Sequence, residues 1–148
     1  ERTLLVLTER KTRKEIIRLL KNHTSEEVVK ALNRLERDMG EKKFRETFKS
    51  ITVDNGTEFS DWEGMEKSRR NKKRKRTKIY YCHAYRSWER GSNENQNRMI
   101  RRWFPKGTNF DGVSKSEVQK VEKWINDYPR EILGWMTADE FYSLETVS

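Results

Sequence analysis

The chain has 148 residues, and its 33 lysines and arginines against 24 aspartates and glutamates give a formal net charge of +9. This length predicts a single domain, residues 1–148, and the five Trp, five Tyr and six Phe provide aromatic surface for a folded core. No apolar run is long enough to cross a bilayer, no signal peptide opens the chain, and the single cysteine excludes an intrachain disulfide or a multi-cysteine zinc site. We therefore predict a soluble intracellular protein with no membrane partner.

The N-terminal third contains two strand-forming segments followed by a helix. Thr3–Thr8 is a short apolar run rich in strand formers, and a polar turn separates it from Glu15–Leu20. The second segment predicts a returning strand, although its pattern also suits a turn of helix. Thr24 and Glu27 have the spacing of a capping box, and apolar residues then recur on one face up to a glycine, which predicts a helix over 25–39.

Shorter elements are predicted for the middle of the chain. Phe48–Val53 has the composition of a buried strand and ends in Asp-Asn-Gly, which is a turn signal. A short helix is expected around Asp61–Lys67. Beyond the basic segment that comes next, Ile79–Cys82 predicts another short strand.

The C-terminal third is predicted to be helical. Asn93–Phe104 favours a helix that Pro105 ends, and Ser114 with Glu117 forms a second capping box. The helix that this box opens is expected to bury Val118, Val121, Ile125 and Tyr128. A third capping box begins at Thr137 and predicts a last short helix. The whole order of elements predicts an α/β fold with a mixed β-sheet flanked by α-helices.

The net positive charge comes from one segment. Lys67–Lys78 contains nine basic residues and no acidic one, and the basic residues that remain equal the 24 acidic residues in number. Because like charges repel, we predict that this segment is a solvated loop that does not pack. Its side chains could bind a polyanion by releasing condensed counterions, or could only solubilise the protein or serve as an address tag. The run alone does not choose between DNA, RNA and a membrane surface.

Two acidic residues lie in positions suited to metal binding. Asp54 directly follows a predicted strand, where the strand end is rigid, although Asp-Asn-Gly is also a common turn without chemical function. Glu94 opens a predicted helix, where a first-turn acid also complements the helix dipole. Helical spacing places Asn97, Arg98 and Arg101 on the same stripe as this glutamate. A carboxylate ligand followed by arginine clamps suits a metal-bound phosphodiester.

Six segments are similar to the catalytic core of the IS30 family of insertion-sequence transposases. In chain order they are Leu7–Arg13, Thr52–Phe59, Tyr80–Tyr85, Ser87–Asn95, Arg101–Thr108 and Leu133–Thr137. They follow the family's order over nearly the whole chain. Together they are specific for this family, whereas any one segment alone would not be. The resemblance implies a ribonuclease-H-like integrase core whose Asp-Asp-Glu triad binds two Mg²⁺ or Mn²⁺ ions.

The resemblance also implies an activity. Asp54 corresponds to the second aspartate of the triad and Glu94 to its glutamate, so both are expected to be catalytic metal ligands. The enzyme would be a DDE-type transposase that cuts transposon ends by hydrolysis and joins their 3′ hydroxyls to target DNA. DNA would then be its partner, in the bacterial cytoplasm at the nucleoid. We expect the full-length protein to be a homo-oligomer, because joining two ends usually requires at least two protomers.

The basic segment is expected to be a loop insertion, residues 66–78, beside the active-site cleft. The 39 residues between Asp54 and Glu94 exceed the spacing in compact family members, and this segment explains the excess. The expected DNA-binding residues are Lys67, Arg69, Arg70, Lys72, Lys73, Arg74, Lys75, Arg76, Lys78, Arg90, Asn97, Arg98 and Arg101.

One member of the triad has no counterpart in the chain. The family's first aspartate lies on a strand upstream of Leu7–Arg13, and the chain starts too late to contain that strand. Glu9 is the nearest carboxylate but matches a different family position. We therefore expect a truncated core that lacks the first strand, binds metal poorly on its own and cuts DNA little or not at all.

Two alternatives stay open. A non-catalytic remnant of a transposase would bind DNA through the basic loop 67–78, with steep salt dependence and no need for metal. An interaction domain whose basic loop only solubilises it would have no affinity for DNA at physiological salt.

Overall fold

The computed structural model describes residues 1–53, 56–81, 98–128 and 137. Within these ranges, four strands form one sheet in the order β2-β1-β3-β4. The strands are β1 (Thr3–Glu9), β2 (Glu15–Leu20), β3 (Ser50–Val53) and β4 (Lys78–Tyr81). β1 runs antiparallel to β2 and β3, whereas β3 and β4 are parallel. The prediction of a mixed sheet is confirmed.

Helices lie on both faces of this sheet. Within the described ranges they are α1 (Ser25–Met39), α2 (Glu41–Thr47), α3 (Trp62–Glu66), α4 (98–103) and α5 (Lys115–Asn126), with 3₁₀ turns at Thr57–Phe59 and Phe110–Gly112. Leu5 and Leu7 of β1 pack in one core cluster with α1, whereas Leu4 and Val6 pack in a second cluster with α5. This alternation is the two-residue period of a strand that is covered on both faces.

The prediction for α1 is confirmed at both ends. The Thr24 side chain accepts a hydrogen bond from Glu27 N (3.3 Å), as a capping box requires. Gly40 follows the helix at φ +88°, a left-handed backbone conformation that favours glycine. The sequence signals for this helix are local, so the sequence alone specified its bounds.

The sequence pattern did not predict α2. It placed Phe48 at the start of a strand, but β3 begins at Ser50 and Phe48 lies at the end of α2. The chain starts a new helix directly after Gly40. Phe44 and Phe48 are four residues apart and both buried, with ring centroids 5.4 Å apart, which is the side-chain pairing of a helix and not of a strand.

α5 covers the edge strand β2 and binds part of its backbone. Asn126 accepts a hydrogen bond from Glu15 N (2.8 Å) and donates one to Glu15 O (3.2 Å), and Glu122 accepts one from Ile17 N (2.7 Å). An edge strand with unpaired backbone groups is a site for unwanted pairing with other chains. Side chains of α5 therefore protect this edge.

One residue predicted to face the core from the α5 region is exposed. Val118, Val121 and Ile125 are buried as predicted, but Tyr128 is 42% exposed. α5 ends at Asn126, so Tyr128 lies beyond the helix and leaves its buried face. The prediction is wrong for this residue.

Some predicted features fall outside the described residues. They are Cys82, the start of the helix predicted over 93–104, and the helix predicted after Thr137. Among the helices that the structure does describe, none combines the length and the apolar composition needed to cross a bilayer.

Glu9 has a structural role at the turn after β1. One carboxylate oxygen accepts hydrogen bonds from Lys11 N (2.8 Å) and Thr12 N (3.1 Å). The other accepts from Ser50 N (2.8 Å) and Ser50 Oγ (3.0 Å). Because the residue is buried and both of its oxygens are occupied, Glu9 joins the β1–β2 turn to the start of β3.

Candidate functional site

The two predicted catalytic carboxylates lie outside the described residues. These are Asp54 and Glu94, and the same holds for Arg90 and Asn97. Val53, the residue before Asp54, ends β3 and pairs with Tyr81 at the end of the parallel strand β4. Within the described ranges there is no group of three His, Cys, Asp or Glu side chains that could hold a metal ion. The metal site therefore stays a prediction, supported by the preference of Mg²⁺ for carboxylate oxygens.

Glu58, which lies shortly after the end of β3, is close to His23. His23 Nε2 is 2.7 Å from Glu58 Oε2, without hydrogen-bond geometry, and this buried oxygen has no hydrogen-bond donor among the residues described. Glu58 folds over Gly56, where a Cβ would lie 2.4 Å from that oxygen. Gly56 thus leaves the space that the carboxylate occupies. The sequence does not predict this contact, because its two members lie 35 positions apart in the chain and no local pattern links them.

Tyr81 connects the end of β4 to the 3₁₀ turn that follows β3. Its hydroxyl donates a hydrogen bond to Phe59 O. Burial raises the pKa of this hydroxyl above its ordinary value of 10.0, and the nearby carboxylates of Asp61 and Glu66 raise the pKa further. The folded protein therefore favours the neutral phenol.

This pKa shift predicts a loss of stability at alkaline pH. Because the pKa of Tyr81 is higher in the folded protein than in the unfolded chain, its contribution is complete below about pH 10 and is lost as the pH rises through the folded pKa. We expect the free energy of unfolding to fall less steeply above pH 10 in Tyr81→Phe than in the parent. Urea unfolding at pH 8 to 11 measures this, and equally steep curves for both proteins would contradict it.

The basic segment is a packed hairpin and not a freely solvated loop. Lys67 and Lys75 form an antiparallel bridge, Ser68 N donates to Arg74 O (2.9 Å) and Arg74 N donates to Asn71 O (2.9 Å). We call residues 67–76 the basic hairpin. Ser68 and Arg76 are buried in this segment, so the prediction that it does not pack is wrong.

Arg76 was predicted to bind DNA, but the structure buries it. It is 1% exposed, and its guanidinium donates hydrogen bonds to Met65 O (2.8 Å), Gly64 O (3.0 Å) and Asn33 Oδ1 (2.7 Å). The same group forms an ion pair with Glu36 (3.4 Å). Burial lowers the pKa of Arg76, and Glu36 opposes this shift. A guanidinium enclosed in this way is not available to bind phosphate.

The other basic residues of the segment are exposed. They are Lys67, Arg69, Arg70, Lys72, Lys73, Arg74, Lys75 and Lys78. Arg98 and Arg101 are exposed as well, but Arg101 lines a cleft of about 320 Å³ with Leu4 and Val6, on the α5 side of the sheet. The basic hairpin contacts α1, on the opposite side. The structure therefore separates the predicted DNA-binding residues into two groups.

The base of the basic hairpin lies near the start of β3. Arg76 comes two residues before β4, whose first residue, Lys78, pairs with Ser50 at the start of β3. Val53, which precedes Asp54, is at the other end of β3. A four-residue strand spans roughly 10 Å, so the base of the hairpin and this strand end lie apart. Asp54 and Glu94 lie outside the described residues, so the expectation that the segment lies beside the active-site cleft stays a prediction.

Comparison with known proteins identifies the class to which the chain is similar. No protein-family model matches the sequence. The chain is 37% identical over 99 residues to "Transposase for insertion sequence element IS4351" of Bacteroides fragilis. The aligned residues are 67% of this chain and 28% of that relative. It is 33% identical over 147 residues, 97% of its length, to "Probable transposase for insertion-like sequence element IS1161" of Streptococcus salivarius, covering 37% of that protein.

A third relative carries the name of the family that the motifs indicated. "Transposase InsI for insertion sequence element IS30C" of Escherichia coli K12 is 33% identical over 137 residues, which are 93% of this chain and 33% of the relative. These three relatives are thus named as insertion-sequence transposases. The chain belongs to the IS30 family of transposases, and it spans about a third of the length of these relatives.

Proposed function

We propose that the chain forms the catalytic core of a DDE-type transposase, which cuts transposon ends and joins them to target DNA. The observation that carries this proposal is the similarity to named transposases over 93% to 97% of the chain. The mixed sheet with helices on both faces supports a ribonuclease-H-like integrase core spanning residues 1–148. Such a protein would act on DNA at the bacterial nucleoid, as a homo-oligomer in its full-length form.

Asp54 and Glu94 would hold the metal ions. Their hard carboxylate oxygens suit two Mg²⁺ or Mn²⁺ ions, which when bound would activate the attacking oxygen and stabilise the leaving oxygen of the phosphodiester. Arg90, Asn97, Arg98 and Arg101 would grip phosphate or orient Glu94, since arginine forms charge-assisted hydrogen bonds to phosphate oxygens.

The sheet has room for a strand that carries the third carboxylate. β1 has seven residues but pairs with β3 at only two of them, Thr8 and Glu9. No described strand pairs with Thr3–Leu7 on the β3 side. The resemblance assigns the missing aspartate to a further strand, and this side of β1 is where we propose that it pairs. These 148 residues alone would then bind metal weakly and cut little DNA, because they supply two of three ligands.

The second candidate function is metal-independent DNA binding by a catalytically inactive remnant. The observation that favours it is the exposed positive charge of the basic hairpin, which needs no metal to attract phosphate. The two candidates differ in how Mg²⁺ affects binding.

DNA binding with and without Mg²⁺ tests the proposal. We expect Mg²⁺ to strengthen binding of the full-length gene product to a duplex carrying the terminal sequence of its element, and to do so less for its Asp54→Asn variant. The matched control is Asp61→Asn, because Asp61 accepts a hydrogen bond from Gly64 N (3.0 Å) as an N-cap, and asparagine caps a helix equally well. Equal binding with and without Mg²⁺ in all three proteins would contradict the catalytic proposal and favour the remnant.

A further inference from the structure

We propose that the basic hairpin is a preformed surface that binds the phosphate backbone of duplex DNA, and that Arg76 positions this surface without contacting DNA. The inference rests on the proposed function, because it takes DNA as the ligand. The inference goes beyond the proposed function because it names the cations that contact DNA and the residues that hold those cations in place.

Hydrogen bonds fix the backbone of the basic hairpin at its base and at its turn. Near the base, Arg76 N donates to Glu66 O (2.7 Å) and Ser68 N donates to Arg74 O (2.9 Å). At the turn, Asn71 Oδ1 accepts from Lys73 N (3.0 Å). The segment therefore has a defined conformation despite its charge.

One carboxylate of α1 holds three points of the hairpin. Glu36 accepts hydrogen bonds from Ser68 Oγ (2.7 Å) and Arg69 N (2.8 Å), and it pairs with the Arg76 guanidinium (3.4 Å). The side chains of Glu36 and Arg76 are almost completely buried. Because a buried charge requires a partner, these contacts tie the hairpin to the helix.

The exposed cations of the hairpin form two sets. Those at the base lie near carboxylates: Lys67 is 3.7 Å from Glu63, Arg74 is 3.7 Å from Glu41 and Lys75 is 3.6 Å from Glu66. The second set, which we call the tip cations, has no ion pair with any carboxylate in the described part of the chain. The tip cations are Arg69, Arg70, Lys72 and Lys73.

This division of charge favours duplex DNA as the partner. The ion pairs at the base offset the positive charge there, so the uncompensated charge is concentrated on the tip cations. A duplex carries one phosphate charge per roughly 1.7 Å of its axis, and each cation that neutralises a phosphate releases counterions. Cations held on an anchored backbone lose less freedom on binding than cations on a mobile loop.

The first test compares two variants of the 148-residue chain with equal charge. The tip variant replaces the four tip cations with glutamine. The control variant makes the same change at four exposed lysines elsewhere, Lys21, Lys106, Lys115 and Lys120. Fluorescence anisotropy gives the Kd for a 30-base-pair random duplex at 50 to 200 mM NaCl.

We expect the tip variant to bind at least about tenfold more weakly than the parent at 100 mM salt. The slope of log affinity against log salt concentration should be shallower for the tip variant by roughly three to four, at about 0.9 per lost phosphate contact. The same slope should change by less than about one in the control variant. Equal losses in both variants, or no loss in the tip variant, would overturn the inference and leave the proposed function standing. Failure of the parent to bind DNA would overturn both.

The second test concerns Arg76. Arg76→Lys keeps the charge but cannot reproduce the planar set of hydrogen bonds, so we expect a Kd several-fold above that of the parent and faster tryptic cleavage at the tip. Ser68→Ala removes the hydrogen bond that Ser68 Oγ donates to Glu36 and the one that it accepts from Arg70 N (3.4 Å), and it should act in the same direction. Arg76→Lys is compared only below its melting temperature, and Ser68→Ala decides the test if Arg76→Lys does not fold. Parent-like affinity in the folded variants would overturn the positioning role.

Discussion

Replacing Glu36 with alanine is expected to lower the free energy of unfolding by about 3–5 kcal/mol. The variant leaves the Arg76 guanidinium buried without an opposite charge, and it removes the acceptor of Ser68 Oγ and Arg69 N. Small domains have free energies of unfolding of roughly 5–15 kcal/mol, so this loss would be a large part of the total. Urea unfolding followed by circular dichroism measures it.

A second glutamate on the surface provides the control for this prediction. Glu63 pairs with Lys67 at 3.7 Å, but both side chains are exposed. Glu63→Ala should therefore change the free energy of unfolding by less than about 1 kcal/mol, because solvent screens an exposed pair. A loss below about 1 kcal/mol in Glu36→Ala would show that the hairpin is not anchored through this carboxylate.

Local sequence signals specified those parts of the fold that depend on nearby residues. The capping box at Thr24, the apolar face of α1 and the glycine after it lie within one stretch of chain, and the bounds of α1 followed from them. The β1–β2 pair likewise depends on two adjacent apolar runs joined by a short turn. In both cases the interactions that define the element are close in sequence.

Features that depend on distant residues did not follow from the sequence pattern. Arg76 has the same charge as its neighbours in the basic segment, and only its contact with Glu36, 40 residues away, distinguishes it. The pair formed by His23 and Glu58 joins two segments in the same way. Similarly, the place of the basic hairpin depends on the direction of β4 relative to β3, which no local pattern specifies.

The candidate catalytic residues came from the family resemblance more than from physical patterns. An Asp-Asn-Gly turn is common, and a first-turn glutamate is ordinary at the start of a helix. The order of six matching segments made Asp54 and Glu94 specific candidates. The family is confirmed by the relatives, whereas the roles of these two carboxylates stay predictions.

Cleavage of transposon-end DNA by the full-length gene product tests the catalytic role of Asp54 most directly. We expect Mg²⁺-dependent nicking by the parent and a loss of more than about a hundredfold in Asp54→Asn, since even the outer hydrogen-bond partners of metal ligands are worth roughly 10–100-fold. Asp61→Asn, with the same change of charge, should cut at the parent rate. Nicking by Asp54→Asn at the parent rate, or no Mg²⁺-dependent nicking by the well-folded parent, would contradict the proposed metal-dependent mechanism.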